Sequence, residues 1–421
     1  MLDLKLIREK PEEVRKAIAS LQLTAPIDTI LSLDEQRRNV LNEVEKLRAR
    51  RNEASKQIGR GGGTPDTESL KAEMREVGQQ IGVLTEQVKN IEAQLNAALL
   101  EMPNLPHASV PVGADEHENI VVRTEGQPPT FAFEPLPHWD LGPALNILDF
   151  ERGIRMSGSR FYLLKGLGAR LQRALITWML DLHIREHGYT EIYPPYMVRE
   201  ECLWVDGKLP KFRDNIYHDA EEDFWFVGTA ETPLTNLHRG EILAAKELPL
   251  SYVAYTACFR REKMSAGRDV RGIKRGHQFD KVEMYKFTTP ETSYAELDRL
   301  LDNAADVCRK LCIPYRVIMM CTGDLGFVAA KKYDVEMWAP GCQEWLEVSS
   351  VSNCEDFQAR RGEIRFRREA GARPEYVHTL NGSGLALPRT MIAIIENYQQ
   401  PDGSILVPDV LRPYMGVDVI R

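Results

Sequence analysis

Residues 59–66 read Gly-Arg-Gly-Gly-Gly-Thr-Pro-Asp, and this stretch decides how the first hundred residues fold. Four glycines and a proline this close together cannot continue a helix, so the chain must turn here. Regular heptad patterns precede and follow the turn. Two helices joined by a short link become antiparallel neighbours. The stretch therefore predicts a helical hairpin.

Apolar residues recur in alternating steps of three and four on both sides of the turn, as a coiled-coil seam requires. Before the turn, the seam positions are Ile30, Leu33, Arg37, Val40, Val44, Leu47, Arg51, Ala54 and Ile58. After it, they are Leu70, Met74, Val77, Ile81, Leu84, Val88, Ile91, Leu95 and Ala98. Each helix of about 30 residues would reach roughly 45 Å. We expect a projecting coiled-coil arm over about residues 27–100, inside an N-terminal domain of residues 1–110.

The outgoing helix is basic, although the whole chain has a net charge of −8. Residues 36–60 hold eight basic and three acidic side chains, whereas the returning helix is balanced or acidic. Basic side chains along a rigid helix suit the backbone of an A-form RNA duplex, which proteins recognise mainly by shape. A solvated coiled-coil surface is the alternative interpretation. The candidate RNA contacts are Arg37, Arg38, Lys46, Arg48 and Arg50.

A second domain is predicted over residues 111–421, where short strands and scattered helices replace the heptads. Residues 169–187 form a predicted helix. Its expected buried side consists of Leu171, Leu175, Trp178, Met179 and Leu182. Apolar residues alternate by two over 251–260, 281–287 and 344–350. Strands joined by loops and hairpins, with the helices kept apart, predict an α+β domain with an antiparallel sheet.

Cysteines and apolar runs exclude several classes of protein. The seven cysteines form no CxxC pair, and no HExxH is present, so neither a disulfide framework nor zinc is expected. Cys308 and Cys312 are interpreted as small core residues on one helix face. No apolar run has the length of a signal peptide or of a membrane span. We therefore expect a cytoplasmic enzyme with no membrane partner.

A nucleotide site is indicated by a strand–loop–strand segment over residues 259–283. No GxxxxGK[ST] motif occurs, so side-chain cations must hold any phosphates. Arg260 ends the first strand, where it can stabilise charge that develops on a phosphate. Phe279, Lys281 and Glu283 alternate along the return strand and therefore share one side. An ordinary hairpin with a charged turn is the alternative interpretation.

Two further segments add to this site. Residues 381–391 run from a strand of small residues into a helix, with Arg389 near the helix start. An arginine there opposes the helix dipole unless an anion such as phosphate binds. Glu347 and Ser350 offer hard oxygen ligands of the kind that suit Mg²⁺ bridging ATP phosphates.

Taken together, these segments resemble class II aminoacyl-tRNA synthetases, and specifically the bacterial-type seryl-tRNA synthetases. The resemblance covers essentially the whole chain, in order behind the helical arm. Residues 188–195 are similar to the dimer-forming motif 1, residues 259–262 with 277–279 to motif 2, and residues 382–389 to motif 3. Residues 229–231, Thr-Ala-Glu, are similar to the serine-binding signature of the family.

The resemblance implies a role for each matching residue. Arg260 and Arg389 would be catalytic, and Glu347 and Ser350 would bind Mg²⁺. The implied serine-binding residues are Thr229, Ala230, Glu231, Glu283 and Ser383. The implied ATP-binding residues are Arg260, Arg261, Glu262, Arg275, Gly276, Phe279, Glu347, Val348, Ser349, Ser350 and Arg389. Arg261 departs from the family, which often has serine there, and Lys263-Met264 is also atypical, so their contacts stay open.

The activity implied is that of a serine--tRNA ligase. Such an enzyme activates L-serine with ATP to seryl-adenylate and transfers it to the 3′ end of tRNA(Ser), and tRNA(Sec) is a further expected substrate. The resemblance also implies a homodimer. One alternative is an adenylating ligase that passes an amino acid to a carrier protein, which would not need the arm. The other is a non-catalytic RNA-binding module, which would not need the motif arginines and carboxylates.

Overall fold

The computed structural model describes residues 1–60, 65–263, 269 and 271–421. Residues 61–64 of the glycine-rich turn, and residues 264–268 and 270 of the basic loop, including Met264, lie outside this described part. The chain divides into two compact units. The first comprises Met1–Ala19 with Leu23–Pro103, and the second comprises Ser20–Gln22 with Asn104–Arg421.

The first unit is helical. Its helices are α1 (Leu4–Glu9), α2 (Pro11–Ser20), α3 (Ile27–Arg60) and α4 (Pro65–Leu100). The two long helices pack against each other along their length, which confirms the predicted pair of long N-terminal helices. The described helices start and end within a few residues of the expected range of 27–100.

Burial in α3 and α4 follows the heptad positions. The buried seam residues include Ile30, Leu33, Val44, Ala54, Val77, Ile81, Val88, Ile91 and Leu95. Arg37 also occupies the seam, but its guanidinium reaches out and its Nε lies 2.9 Å from Glu92 Oε1 on the partner helix. A long side chain thus packs its stem and keeps its charge at the surface.

The second unit combines a sheet with helices. Its helices are α5 (His138–Ala144), α6 (Phe150–Ser157), α7 (Leu167–Arg185), α8 (Glu200–Val205), α9 (Glu231–Thr235), α10 (Ser293–Lys310), α11 (Phe357–Gly362), α12 (Leu387–Asn397) and α13 (Arg412–Met415). Its strands are β1 (Ile120–Glu125), β2 (Leu148–Asp149), β3 (Leu163–Leu164), β4 (Thr190–Glu191), β5 (Met197–Val198), β6 (Trp225–Phe226), β7 (Ile242–Ala244), β8 (Leu250–Phe259), β9 (Gln278–Thr288), β10 (Tyr315–Met319), β11 (Lys331–Ala339), β12 (Glu344–Asn353), β13 (Arg365–Arg367), β14 (Glu375–Tyr376), β15 (His378–Ala386), β16 (Ile405–Leu406) and β17 (Val419–Ile420).

The main sheet of the described residues has the strand order β1-β10-β11-β12-β15-β9-β8-β4. Its neighbouring strands are antiparallel except β4 and β8, which are parallel. This confirms the expected α+β class with an antiparallel sheet. The three predicted strands correspond to β8, β9 and β12. Their pairing through β15 brings the motif-bearing segments to adjacent positions in the sheet.

Helices α7, α10 and α12 pack on this sheet and close the main core. The five side chains expected on the inner side of α7 are all buried, because they recur with the helical period. Cys308 is buried in α10, but Cys312 is exposed because the helix ends at Lys310. The expectation of two core cysteines on one helix face was therefore wrong for Cys312. Among the described helices, none combines the length and apolarity needed to span a membrane.

Val44→Asp should loosen the hairpin without unfolding the sheet. Val44 is 2% exposed and packs with Val77 and Ile81, and burying an unpaired carboxylate there costs several kcal/mol. Hydrogen–deuterium exchange of the full chain should show faster exchange in α3 and α4, with β8 and β9 still protected. Val83→Asp is the matched control, because Val83 is 70% exposed on α4. Equal effects of both substitutions would contradict the assignment of the seam.

Candidate active site

A cavity of about 420 Å³ lies over β9, β12 and β15 and reaches the first turn of α12. Residues from distant parts of the chain meet there because these strands pair in the sheet. Many residues proposed from the sequence line it. They are Thr229, Glu231, Arg260, Glu262, Arg275, Gly276, Phe279, Glu283, Glu347, Val348, Ser350, Ser383 and Arg389.

Three of the proposed residues lie outside the described lining of this cavity. Ala230 is fully buried beside the start of α9. Ser349 points into the core, where its Oγ donates a 2.6 Å hydrogen bond to the carbonyl oxygen of Ser383. Arg261 stacks over the ring of Tyr217, with its guanidinium carbon 5.1 Å from the ring centroid. Arg261 therefore points neither into the cavity nor freely into solvent.

One end of the cavity is acidic and hydroxyl-rich. Glu283 on β9 lies opposite Ser383 on β15 in the sheet register, and the Ser383 Oγ is 3.4 Å from Glu283 Oε2. Lys281, two residues earlier on the same side of β9, pairs with Glu283. Burial raises the pKa of Glu283, and the adjacent Lys281 ammonium opposes that rise.

A second carboxylate, Glu231, shares this end. Lys208 Nζ lies 2.7 Å from Glu231 Oε2, and both residues line the cavity. Burial is the largest influence and favours the neutral acid, but the charge and hydrogen bond of Lys208, together with Lys281 and Gln358, outweigh it and lower the pKa of Glu231. Asp206 lies beside this pair, and burial raises its pKa to about 6. A cation therefore faces a carboxylate at both acidic positions.

The other end of the cavity is cationic. Arg260 is held by a 3.1 Å hydrogen bond from its Nε to the carbonyl oxygen of Gly228, and its guanidinium carbon is 5.1 Å from the Phe279 ring centroid. Arg389 Nη1 donates 2.7 Å to the carbonyl oxygen of Glu347 and 3.1 Å to its carboxylate. Two arginines and an aromatic ring are thereby fixed in one wall.

The segment before β9 adds more cations to this end. Lys274 and Arg275 line the cavity. The carbonyl oxygen of Lys274 accepts a 3.4 Å hydrogen bond from Arg389 Nε, which links the segment to α12. Arg275 Nη1 lies 3.6 Å from Glu262 Oε2. Such an excess of cations with pre-set positions suits a polyanion such as a triphosphate.

Hard oxygen atoms face the cationic end from β11 and β12. The Glu347 side chain is 43% exposed, so it is open to a ligand. Asp334 lies opposite Ser350 in the register of these strands. Burial first, and the neighbouring Glu347 charge second, raise the pKa of Asp334 to about 7. Its Oδ1 is buried with no hydrogen-bond partner among the described residues. A buried carboxylate oxygen left unsatisfied beside a second carboxylate fits a divalent cation.

The proposed RNA-contacting cations of α3 fall into two groups. Arg37 pairs with Glu92, Arg38 pairs with Asp34 and Arg50 pairs with Glu73. Within the described residues, Lys46 and Arg48 have no ion-pair partner and both are exposed. These two side chains therefore offer charge to a polyanion without first breaking an internal ion pair.

Family models and curated relatives match both the helical N-terminal region and the region that carries the cavity. The model of the seryl-tRNA synthetase N-terminal domain matches residues 1–106, and that of the class II tRNA synthetase core domain (G, H, P, S and T) matches residues 211–398. The serine--tRNA ligase of Dehalococcoides mccartyi is 61% identical over 421 residues, covering 100% of both chains. The chain belongs to the seryl-tRNA synthetases. The family predicted from the motifs is thus confirmed.

Solved members of this family have the same fold. The seryl-tRNA synthetase of Pyrococcus horikoshii, solved with ATP, has a TM-score of 0.95 at 41% identity and covers 100% of this chain and 99% of its own. The cytoplasmic serine--tRNA ligase of Naegleria fowleri, solved with AMP, has a TM-score of 0.89 at 32% identity, with 100% and 99% coverage. Both matches extend over the helical hairpin as well as the sheet.

Sequence reasoning missed two residues of this synthetase's acidic pocket. Lys208 lies in irregular chain between α8 and β6, where no motif distinguishes it. Gln358 on α11 is fully buried, and its Nε2 donates to Glu231 Oε1 at 2.8 Å and to the carbonyl oxygen of Asp206 at 3.1 Å. Its Oε1 accepts from Tyr285 and Thr379. Gln358 therefore satisfies all its hydrogen-bonding capacity while orienting Glu231.

Gln358→Leu should destabilise the fold and weaken serine binding. The similar shape removes a hydrogen-bond partner from four buried polar groups, which costs about 2–5 kcal/mol of unfolding free energy. Denaturant titration measures that loss, and the KM for serine should rise because Glu231 Oε1 loses the donor that orients it, while Lys208 still binds Oε2. Gln127→Leu at an exposed position is the control and should change neither. An unaltered serine KM in a destabilised Gln358→Leu protein would contradict the orienting role.

Proposed function

We propose that this chain is a serine--tRNA ligase, with residues 111–421 as the catalytic domain and residues 1–110 as a tRNA-binding arm. One observation carries the proposal: a single cavity joins an acidic, hydroxyl-rich pocket at Glu231 and Glu283 to a cationic wall at Arg260 and Arg389. An amino acid and a nucleoside triphosphate fit these two ends side by side. The names of the full-length relatives, and the ATP and AMP in the two solved members, support the assignment.

ATP fits the cationic end. Phe279 would stack on the adenine, with Glu262 near its edge and the backbone of Gly276 beside the nucleotide. Arg260 would contact the α-phosphate. Arg275 and Arg389 would hold the γ-phosphate end, for which their positions at the loop and at the start of α12 are suited. Val348 would line the nucleotide site. Arg261 and Ser349 would not contact ATP directly, because neither side chain lines the cavity.

Magnesium fits the hard oxygens on β12. Glu347 and Ser350 would hold it, and Asp334, whose Oδ1 has no hydrogen-bond partner among the described residues, lines an adjoining cavity with them and supports a cation at this place. When bound, the ion would neutralise phosphate charge. Glu347 also keeps Arg389 in position through the hydrogen bonds to its Nη1. The same carboxylate would therefore serve the metal and the arginine.

Serine fits the acidic end. Its ammonium and hydroxyl would pair with Glu231 and Glu283, and Thr229 and Ser383 would complete the pocket. These groups are buried, so their hydrogen bonds with the substrate carry more weight than in water. A site that hydrogen-bonds a hydroxyl rejects the analogue without it by roughly 10⁴-fold or more. The pocket is thus suited to reject alanine.

Two displacements follow from this placement. A serine carboxylate oxygen attacks the α-phosphorus, forming seryl-adenylate as the bond to pyrophosphate breaks. A terminal ribose hydroxyl of tRNA then attacks the seryl carbonyl carbon, the bond from that carbon to the AMP phosphate oxygen breaks, and the hydroxyl proton passes to the departing AMP. Arg260 faces the phosphorus at which charge develops, and Arg389 faces the leaving pyrophosphate. Positioning and charge stabilisation supply the acceleration, and no side-chain nucleophile is needed.

Partners follow from the same proposal. The arm would contact tRNA(Ser) through α3, and the same contacts would admit tRNA(Sec). A homodimer is expected through the segment around Pro194 and Pro195, near which Tyr193 and Met197 are exposed apolar side chains. The cytoplasm is the expected compartment because translation consumes charged tRNA there. The carrier-protein ligase is not favoured, because the relatives matched over the whole chain, arm included, are named serine--tRNA ligases.

Serine-dependent ATP–pyrophosphate exchange tests the activity and the phosphate assignment together. The wild-type protein should exchange with serine and not with alanine. Arg389→Ala should lower exchange by about 10²- to 10³-fold, because it removes charge stabilisation at the leaving group. Arg239→Ala is the control, since Arg239 pairs with Glu201 outside the cavity lining. Absence of exchange in the wild-type chain, or better exchange with another amino acid, would refute the proposed function.

Removing Lys46 and Arg48, the two candidate RNA contacts of α3 that have no ion pair within the described residues, should weaken tRNA charging alone. The Lys46→Ala, Arg48→Ala double variant should raise the KM for tRNA about tenfold and flatten its salt dependence, because two phosphate contacts are lost. Exchange should stay at the wild-type rate. Lys71→Ala with Lys89→Ala on α4 is the control, as both lysines pair within their own helix. Deletion of residues 36–98 should abolish charging and spare exchange, and an equal loss of both would contradict the arm's role.

A further inference from the structure

Outside the cavity, His138, Cys342 and Glu396 form a compact cluster in the core. His138 Nδ1 lies 2.9 Å from Glu396 Oε1, and Cys342 Sγ lies 3.0 Å from the same oxygen. The side chains of His138 and Glu396 are both fully buried. No motif pointed to these residues, and the proposed reaction does not use them. The hydrogen bonds of these three residues connect helix α12 to the chain segment before β9.

Hydrogen-bond partners fix the protonation of the imidazole. Glu396 Oε1 also accepts from the backbone N–H of His138, and Oε2 accepts from the N–H of Cys342. Because the ionised carboxylate of Glu396 can only accept hydrogen bonds, His138 Nδ1 must carry the proton and donate it to Glu396. His138 Nε2 is then the acceptor, and the backbone N–H of Ile273 donates to it at 3.2 Å. Both ring nitrogens are satisfied by a neutral imidazole.

These three side chains also lie close enough to hold a cation, but the contacts favour the hydrogen-bonded network. A metal on Nδ1 would displace the proton to Nε2. An N–H at Nε2 would then point at the N–H of Ile273, and a 3.2 Å contact between two donors is repulsive. The carboxylate is already occupied by donors from His138 and Cys342. The cluster is therefore complete without a metal.

His138 joins two elements that carry the cations of the cavity. Ile273 immediately precedes Lys274 and Arg275, which line the cationic end. Glu396 lies on α12, two helical turns beyond Arg389. Gly272, with φ of +65°, packs against the imidazole so closely that a Cβ there would be 1.9 Å from Nε2. The ring is thus wedged between the loop segment and the helix.

We propose that His138 is a positioning residue for ATP, which holds segment 272–275 in register with α12 so that Arg275 and Arg389 meet one polyphosphate. Its neutral imidazole spans the two elements through one donated and one accepted hydrogen bond. Loss of either bond leaves the cations present but unaligned. The inference rests on the proposed function, since it assigns the polyphosphate of ATP to these arginines. His138 itself touches no substrate.

Two near-isosteric variants separate the two hydrogen bonds of the imidazole. His138→Asn places an amide nitrogen where Nδ1 lies, so it keeps the bond to Glu396 and loses the acceptor for Ile273. His138→Gln places a carbonyl oxygen near the Nε2 position, so it keeps the loop contact. In serine-dependent ATP–pyrophosphate exchange, His138→Asn should raise the KM for ATP about tenfold, the factor for about one hydrogen bond. The KM for serine should stay within about twofold. His138→Gln, which loses the bond to Glu396 instead, should raise the KM for ATP by a similar factor.

Cys342→Ala is the matched control, because it removes a partner of Glu396 and leaves the hydrogen bonds of His138 to Glu396 and Ile273 in place. It should leave the KM for ATP unchanged. Gly272→Ala tests the same contact from the loop side, because its Cβ would clash with the imidazole of His138. If His138→Asn does not fold, Gly272→Ala should show the same rise in the KM for ATP. A purely structural role would lower the melting temperature of His138→Asn with both KM values unchanged, and that result would overturn the inference. Stoichiometric zinc in the purified wild-type protein, absent from His138→Asn, would overturn it as well.

These outcomes are distinct from a failure of the proposed function. If the wild-type protein shows no exchange with serine, the activity assignment fails, and with it the polyphosphate on which the inference rests. If wild-type exchange is normal and His138→Asn leaves the KM for ATP unchanged, the activity stands and only the positioning role is refuted. A selective rise in the KM for ATP supports both.

Discussion

Each carboxylate that lines the acidic pocket contacts a cation of the chain itself, and the rest of the site depends on this pairing. Lys208 faces Glu231, Lys281 faces Glu283, and Arg389 faces Glu347 at the border with the cationic wall. Burying Glu231 and Glu283 without partners would cost several kcal/mol each. A ligand ammonium that reaches Glu231 or Glu283 must compete with a lysine already in place. The pocket thus favours a substrate that offers the carboxylates more hydrogen bonds than the lysines do.

Local patterns predicted those parts of the structure that depend on neighbours in sequence. The heptads of α3 and α4, the buried face of α7 and the alternation of β9 each repeat with the period of one element. The alternation also placed Phe279, Lys281 and Glu283 on one side, and all three line the cavity. The resemblance to a family then indicated which of these residues would share one site. Neither the periodic patterns nor the resemblance required any contact between distant segments to be predicted.

Contacts set by the folded chain were beyond sequence reasoning. Gln358 reaches Glu231 across 127 positions, and His138 reaches Glu396 across 258, so no spacing rule connects them. The same limit applies to charge. A count of basic residues in α3 treats all of them alike, whereas the fold pairs Arg37 with Glu92 and Arg50 with Glu73 on the opposite helix. Partners of this kind decide which charges remain available to RNA.

The proposed chemistry explains why such remote contacts matter. In an enzyme with a side-chain nucleophile, substitution of that one residue has the largest effect on the reaction rate. This reaction instead relies on several cations aligned on one polyphosphate. Arg260 is held by a carbonyl oxygen of Gly228, and Arg389 by the carbonyl oxygens of Glu347 and Lys274. Their alignment is therefore a property of the backbone that surrounds the cavity. Residues that fix this backbone, among them Gln358 under Glu231 and His138 under segment 272–275, influence the reaction without touching the substrates.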